Sequence, residues 1–292
     1  MKPAISISHL KKYFGSTKAV DDISFSVEAG EIFGFLGPNG AGKTTTIRCL
    51  MDLYRPISGT IEIFGFNANT QGLDARRRLS FMPAVTSLNE KWTAEEHFAY
   101  AQDLRGTPGR STELANRLNL DPTKKIKHLS TGNRQKVSLV LAFMFSSDLI
   151  ILDEPTNGLD PLLQQTVYEL VRESGQRGAT VLMSSHNLAE VERTCSRVAV
   201  LRSGKLVAIE TMSGLRDKHL YTVSVQLSKA YRFPKIPNAE VASFDKQSVV
   251  FKVSGDIQPM LKAIAAAPVH DVQIQHASLE ELFLEFYNQQ SA

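Results

Sequence analysis

The sequence predicts an α/β protein: a mixed sheet with helices packed on it, an inserted helical subdomain, and a small α+β unit at the C-terminal end. Three observations carry that prediction. Over roughly the first two hundred residues, short β-rich runs alternate with helical patterns, as strands and helices layered around a sheet require. From about Thr93 to Ser147 the alternation gives way to a largely helical stretch. Beyond "TMSGLRDKHL" the style changes again, to runs that alternate at period two.

Each element has a local warrant. Strand candidates are "ISISHL", "ISFSV", "EIFGFLG", "TIEIFG", "LIILD", "TVLMSSH", "RVAVLRSG" and "KLVAIE". "TAEE" at Thr93 fits a capping box, because the Thr93 hydroxyl can accept an amide bond while Glu96 reaches back. In the tail, "YTVSVQL", "SVVFKVSG" and "VHDVQIQ" read as strands, "IQPMLKAIAAA" and "SLEELFLEFYNQ" as helices. The last places Leu279, Leu282, Phe283, Phe286 and Tyr287 on one face, with Ser278 and Glu281 as cap and box. The expected division is residues 1–212, with a helical subdomain at about 87–147, followed by 213–292 as a unit of about eighty residues. No internal repeat or low-complexity segment interrupts this order.

Composition narrows the function classes. A chain of 292 residues with 42% hydrophobic and 22% charged content is ordinary globular protein. Its net charge of +3 gives no electrostatic argument for nucleic acid, and basic clusters such as "RRR" from Arg76 and "KKIKH" from Lys124 read as solvated helix faces. Two cysteines, Cys49 and Cys195, read as small buried apolar residues of a reduced, cytoplasmic protein. The first fifteen residues lack the apolar core of a signal peptide, and "VSLVLAFMF" is far short of a membrane span. Any membrane role is therefore expected to come through a partner.

The chemistry starts at "GPNGAGKTTT". Gly37 to Thr44 spells G-x-x-x-x-G-K-T between the strand "EIFGFLG" and the helix "TTTIRCLMDLY", the context a phosphate loop needs. Glycines let successive N–H groups point inward at a polyphosphate, and the helix N-terminus adds partial positive charge at the same spot. Lys43 supplies a full charge to the β- and γ-phosphates, and the Thr44 hydroxyl can ligate Mg²⁺. The nucleotide-binding candidates in this loop are Gly37, Pro38, Asn39, Gly40, Ala41, Gly42, Lys43, Thr44 and Thr45.

A second element is "DLIILDEPTNGLD". Its apolar run predicts a buried parallel strand, and two carboxylates emerge at its C-terminal end, where α/β sheets place ligands. Asp153 suits Mg²⁺, directly or through water. Glu154 is placed to polarise a water for in-line attack on a γ-phosphate.

Over roughly residues 4–210 these and two further motifs resemble the ATP-binding subunits of ABC transporters, a P-loop NTPase cassette. "GPNGAGKTTT" is similar to the Walker A motif of that family and "LIILDEPTNGLD" to its Walker B and D-loop. "LSTGNRQK" at Leu129 resembles its signature motif, and "SSHNLAEVE" carries a switch histidine at His186. The resemblance implies ATP and Mg²⁺ as ligands, and two cassettes pairing head to tail around two ATP molecules. It implies that Ser130 and Gly132 cap the γ-phosphate held by the partner, that His186 orients the attacking water, and that Asp160 sits at the dimer seam. It further implies an adenine-stacking aromatic, with Phe14 in register and Tyr13 the alternative.

Two positions depart from the family pattern. Thr131 and Asn133 replace a glycine and a glutamine of the signature, and Ala84 stands where a glutamine usually touches Mg²⁺ or water. Ala84 can ligate nothing, so either a water remains there or another residue of that loop makes the coupling contact. The tail beyond Thr211 is similar to one carried by exporter-type cassettes. The expectation is an ATPase subunit at the cytoplasmic face of the membrane. It would drive a separate transmembrane permease, with a second cassette as partner and no nucleic acid. The rival is a soluble ATPase of the same family acting on ribosomes or DNA. The single P-loop and the short distance from Lys43 to Ser130 count against it, and the presence of Glu154 and His186 counts against a cassette that binds ATP without turnover.

Overall fold

The computed structural model describes residues 2–217, 220–245 and 247–276. Two long strands open the chain, β1 (Ile5–Phe14) and β2 (Thr17–Val27), followed by β3 (Ile32–Leu36) and helix α1 (Lys43–Leu50). Then come β4 (Ser58–Ile63), β5 (Phe66–Asn67), α2 (Gly72–Arg77) and β6 (Leu79–Met82). The helical stretch contains α3 (Ala94–Arg105), α4 (Ser111–Arg117) and α5 (Thr131–Phe143). After it the alternation resumes with β7 (Leu149–Asp153), α6 (Pro161–Gln176), β8 (Thr180–Ser185), α7 (Leu188–Thr194), β9 (Arg197–Arg202) and β10 (Lys205–Thr211). The remainder is α8 (Met212–Asp217), β11 (Leu220–Leu227), β12 (Ala239–Asp245), β13 (Ser248–Ser254), α9 (Gln258–Ala265) and β14 (Val269–His276).

The chain divides into two compact units, Met1–Ile209 and Glu210–Ala292. The break lies inside β10, slightly before the expected boundary at 212. The start of that strand belongs to the first core, against which Leu206 packs. The first unit holds two sheets, an antiparallel one in the order β2-β1-β4-β5 and a larger one in the order β10-β9-β3-β8-β7-β6. The run β9-β3-β8-β7-β6 is parallel throughout. The two sheets bury one apolar layer between them, in which Phe25 of β2 lies 5.7 Å from Phe33 and 5.3 Å from Phe35 of β3. Strands buried on both faces need continuous apolar sequence, and "LIILD" and "TVLMSS" supply it with every residue buried.

Thr93 caps α3 as expected. Its N–H donates to Glu96 Oε2 at 2.7 Å, and its hydroxyl accepts from the Glu96 N–H at 3.2 Å. The elements that the sequence pattern left unnamed include β5, α2, β6, β12 and α8. β6 has four residues, too few to show a period, and exists because Leu79–Met82 pair with Leu149–Leu152. β12 is an exposed edge strand with a bulge between Val241 and Ser243, which breaks its alternation.

The second unit is an antiparallel sheet in the order β12-β13-β11-β14. Val223, Val225, Val249, Phe251 and Val253 share its inner face with Met260 of α9, all buried. The predicted helix "SLEELFLEFYNQ" lies outside the described residues.

Candidate functional site

The site forms where the central parallel strands end. β3 lies between β8 and β9, with Leu36 paired to Ser185 on one side and Val200 on the other, and it delivers the chain to Gly37. The loop that follows is shaped by glycine. Gly40 and Gly42 have φ of 80° and 107°, and a Cβ on Gly42 would stand 2.4 Å from the Ala19 carbonyl oxygen. A Cβ on Gly37 would stand 2.5 Å from the Leu201 carbonyl oxygen. The loop is therefore wedged between β2 and β9 and holds its curl through backbone approach. Lys43, only 5% exposed, begins α1 and donates from Nζ to the carbonyls of Gly37 at 2.6 Å and Pro38 at 3.3 Å.

The two carboxylates leave β7 on the neighbouring strand end. Asp153, 1% exposed, accepts from the Ser184 hydroxyl at 2.6 Å. Glu154 sits at φ 52°, a left-handed conformation that a non-glycine residue keeps only when its surroundings enforce it. Its N–H donates to Ser184 Oγ at 3.0 Å, and its carbonyl accepts from Gln135 Nε2 at 3.4 Å. Its side chain joins the other candidates: Oε1 is 3.1 Å from Lys43 Nζ, and Oε2 accepts from His186 Nδ1 at 2.7 Å. Oε1 is buried and accepts no hydrogen bond of proper geometry; its attraction to Lys43 is purely ionic. Such an atom at the wall of a polar cavity is available to a proton or a water.

The structure thus joins Lys43, Glu154 and His186 in direct contact, with Asp153 linked to Glu154 through Ser184. Beside them opens a cavity of about 580 Å³, lined by residues 38–45 of the loop, Glu154 and Ala84, together with Thr17, Lys18, Ala19, Asn157 and Ser203. Ala84 leaves its part of that wall without a polar group. Phe14 and Tyr13 stand apart from the lining. Phe14 is 45% exposed, with its ring edge-on to Tyr54, and the Tyr13 hydroxyl donates to Asp21 at 2.6 Å. The chain reaches the cavity three residues later, at Thr17.

Ser130, Gly132 and Asp160 are also outside it. Ser130 caps α5 and accepts from the Asn133 N–H at 3.3 Å; Asp160 caps α6 and accepts from the N–H groups of Leu162 and Leu163 at 3.1 and 3.0 Å. Gly132 approaches the loop before Asp160 closely enough that a Cβ would meet the Gly158 carbonyl at 3.2 Å. Sequence reasoning missed Gln135, Ser184 and Lys18. The two serines of "SSH" at the end of a central strand were a visible signal for Ser184, whereas Gln135 and Lys18 had none.

A family model described as ABC transporter matches residues 20–157. The daunorubicin/doxorubicin resistance ATP-binding protein DrrA of Streptomyces peucetius is 36% identical over 221 residues, which are 73% of this chain and 67% of that protein. The Nod factor export ATP-binding protein I of Burkholderia orbicola is 30% identical over 296 aligned positions, 96% of this chain and 95% of the relative. Among solved structures, an ATP-binding subunit of an ABC transporter superposes with a TM-score of 0.66 at 32% identity, over 73% of this chain and 92% of its own. The phosphate loop, the paired acids and these relatives agree: the chain belongs to the family of ABC transporter ATP-binding proteins, and it is an ATPase.

Proposed function

We propose that this chain is the energising subunit of an exporter: it closes on ATP with a second cassette and drives a separate transmembrane permease from the cytoplasmic face of the membrane. The observation that carries the chemical part is the contact chain from Lys43 through Glu154 to His186 beside the phosphate-loop cavity. Loop N–H groups and Lys43 bind the β- and γ-phosphates. Glu154 takes the proton of the attacking water, and His186, bonded to it, holds the carboxylate in place. Mg²⁺ suits the donors present, because Thr44 and Asp153 offer hard oxygens. Among the described residues no group of three or more acids, histidines or cysteines forms a complete metal cage. Mg²⁺ would neutralise charge building on the phosphate oxygens. Ser130, Gly132 and Asp160 stand free of the chain's own cavity, as residues serving a partner's nucleotide must. Phe14, or Tyr13, contributes the adenine contact.

Export is favoured by the names of the relatives, one a drug-resistance protein and one an export protein, the latter aligned across the tail as well. No described helix is long and apolar enough to cross a membrane, and the cargo pathway belongs to the proposed permease. Two measurements test the proposal. Glu154→Gln protein given MgATP should elute at dimer mass while Lys43→Ala protein stays monomeric; monomers in both overturn the sandwich. Tagged chain extracted from membranes in detergent should bring down a protein with several spans; recovery from the aqueous fraction alone overturns the permease.

A further inference from the structure

Two carboxylates in the first unit are deeply buried against hydroxyl groups, and the proposed hydrolytic site uses only one of them. Asp153 is held by Ser184; Glu190, on α7 and 5% exposed, is held by the next residue, Ser185. Glu190 Oε2 accepts from the Ser185 hydroxyl at 2.8 Å, and Oε1 accepts from the Thr156 hydroxyl at 2.6 Å. Thr156 and Ser185 are themselves buried, and Tyr168 of α6 packs alongside. A carboxylate costs several kcal/mol to bury, and hydroxyl donors offset that cost only while each stays in place. The arrangement is therefore stiff.

Its position makes the stiffness useful. Thr156 lies two residues beyond Glu154, in the loop that runs to Asp160, and Ser185 immediately precedes His186. One side chain thus ties the segment bearing the proposed base to the strand end bearing its histidine partner. Glu154 needs such ties because its backbone is left-handed; its N–H is held by Ser184 of β8, and its carbonyl accepts from Gln135 of α5 and from the Asn157 N–H. We propose that Glu190 is a positioning residue for ATP hydrolysis, holding the Glu154–Asp160 loop in register with His186; the proposal rests on the roles assigned above to Glu154 and His186. Glu190 touches no substrate, so its effect falls on turnover and spares binding.

The test uses full-length protein and compares Glu190→Gln, Glu190→Ala, Thr156→Val and Ser185→Ala for kcat, KM for ATP and Tm. Glutamine keeps the size and one acceptor, so it should retain more turnover than alanine, and it remains informative where the alanine protein fails to fold. Expected is a fall in kcat of about 10-fold for Glu190→Gln with KM within about twofold, and a Thr156→Val loss that adds little on top of it. Wild-type kcat in Glu190→Gln and Thr156→Val, or losses confined to Tm or KM, overturns the positioning role. A Glu154→Gln control separates the two ideas. If it turns over at the wild-type rate, the assigned base is wrong; if it is inactive while Glu190→Gln is fully active, only the Glu190 linkage falls.

Discussion

The two units of this chain bury different things. In the first, the interior holds Lys43, Asp153, Glu154, Glu190, Gln135 and a set of hydroxyl side chains. Among the described residues of the second, every buried side chain is apolar, from Val223 through Met260. Yet the second unit has the larger cavity, about 850 Å³ against about 580 Å³, lined by Tyr231, Phe233, Phe244 and Phe251. Volume alone would have pointed to the wrong place. Buried charge points to the proposed chemistry, because a fold keeps an expensive group inside only where partners hold it, as Lys43 and His186 hold Glu154.

That contrast can be broken or sharpened by experiment. The largest effect should come from Glu154→Gln, which removes the proposed base without changing its shape: kcat should fall by about 10²–10⁴-fold while ATP still binds. A rate near wild type would detach buried charge from chemistry. Next is Lys43→Ala, read by calorimetry, where ATP affinity should fall roughly 10–100-fold through loss of a charged phosphate contact. Lys18 on the cavity wall keeps some positive charge there, so binding weakens instead of vanishing.

Met260→Ala probes the other side of the comparison. It should destabilise the second unit by about 2–5 kcal/mol, visible as a separate unfolding transition, and leave ATP turnover unchanged. Lost turnover would show that the apolar unit serves the chemistry directly. The smallest effect concerns the cysteines. Burial pushes the Cys49 thiol up to about 11 and the Cys195 thiol up to about 12, so both stay protonated and unreactive at neutral pH. Iodoacetamide at pH 8 should modify neither in the folded protein, as read by intact mass, and rapid labelling of either would contradict its burial.

Much of the fold was legible wherever the chain repeats a period long enough to count. "LIILD", "TVLMSSH" and "EIFGFL" announced central strands because strands covered on both faces must be apolar throughout. β6 and β12 stayed hidden, since a four-residue edge and a bulged, exposed strand owe their existence to a neighbour's hydrogen bonds. At the candidate site, Gly37–Thr44 and the acids Asp153 and Glu154 stood out in the sequence because the proposed chemistry demands one residue type at one spacing. Gln135 could not: its amide reaches the Glu154 and Pro155 carbonyls from a helix nineteen and twenty positions away, and any helix residue at that spot reads as solvent-facing polarity.

The sequence by itself marked a glycine-rich loop, a lysine and two acids as candidates for a nucleotide site, because backbone freedom and charge are properties of the residues themselves. Tertiary structure alone decided which side chains touch. It closed Glu154 onto both Lys43 and His186, left Ser130 and Asp160 capping helices outside the cavity, and set Glu190 between the loop after β7 and the end of β8. The reason is physical. Contacts between residues more than thirty positions apart depend on the register of parallel strands, which only the packed sheet supplies.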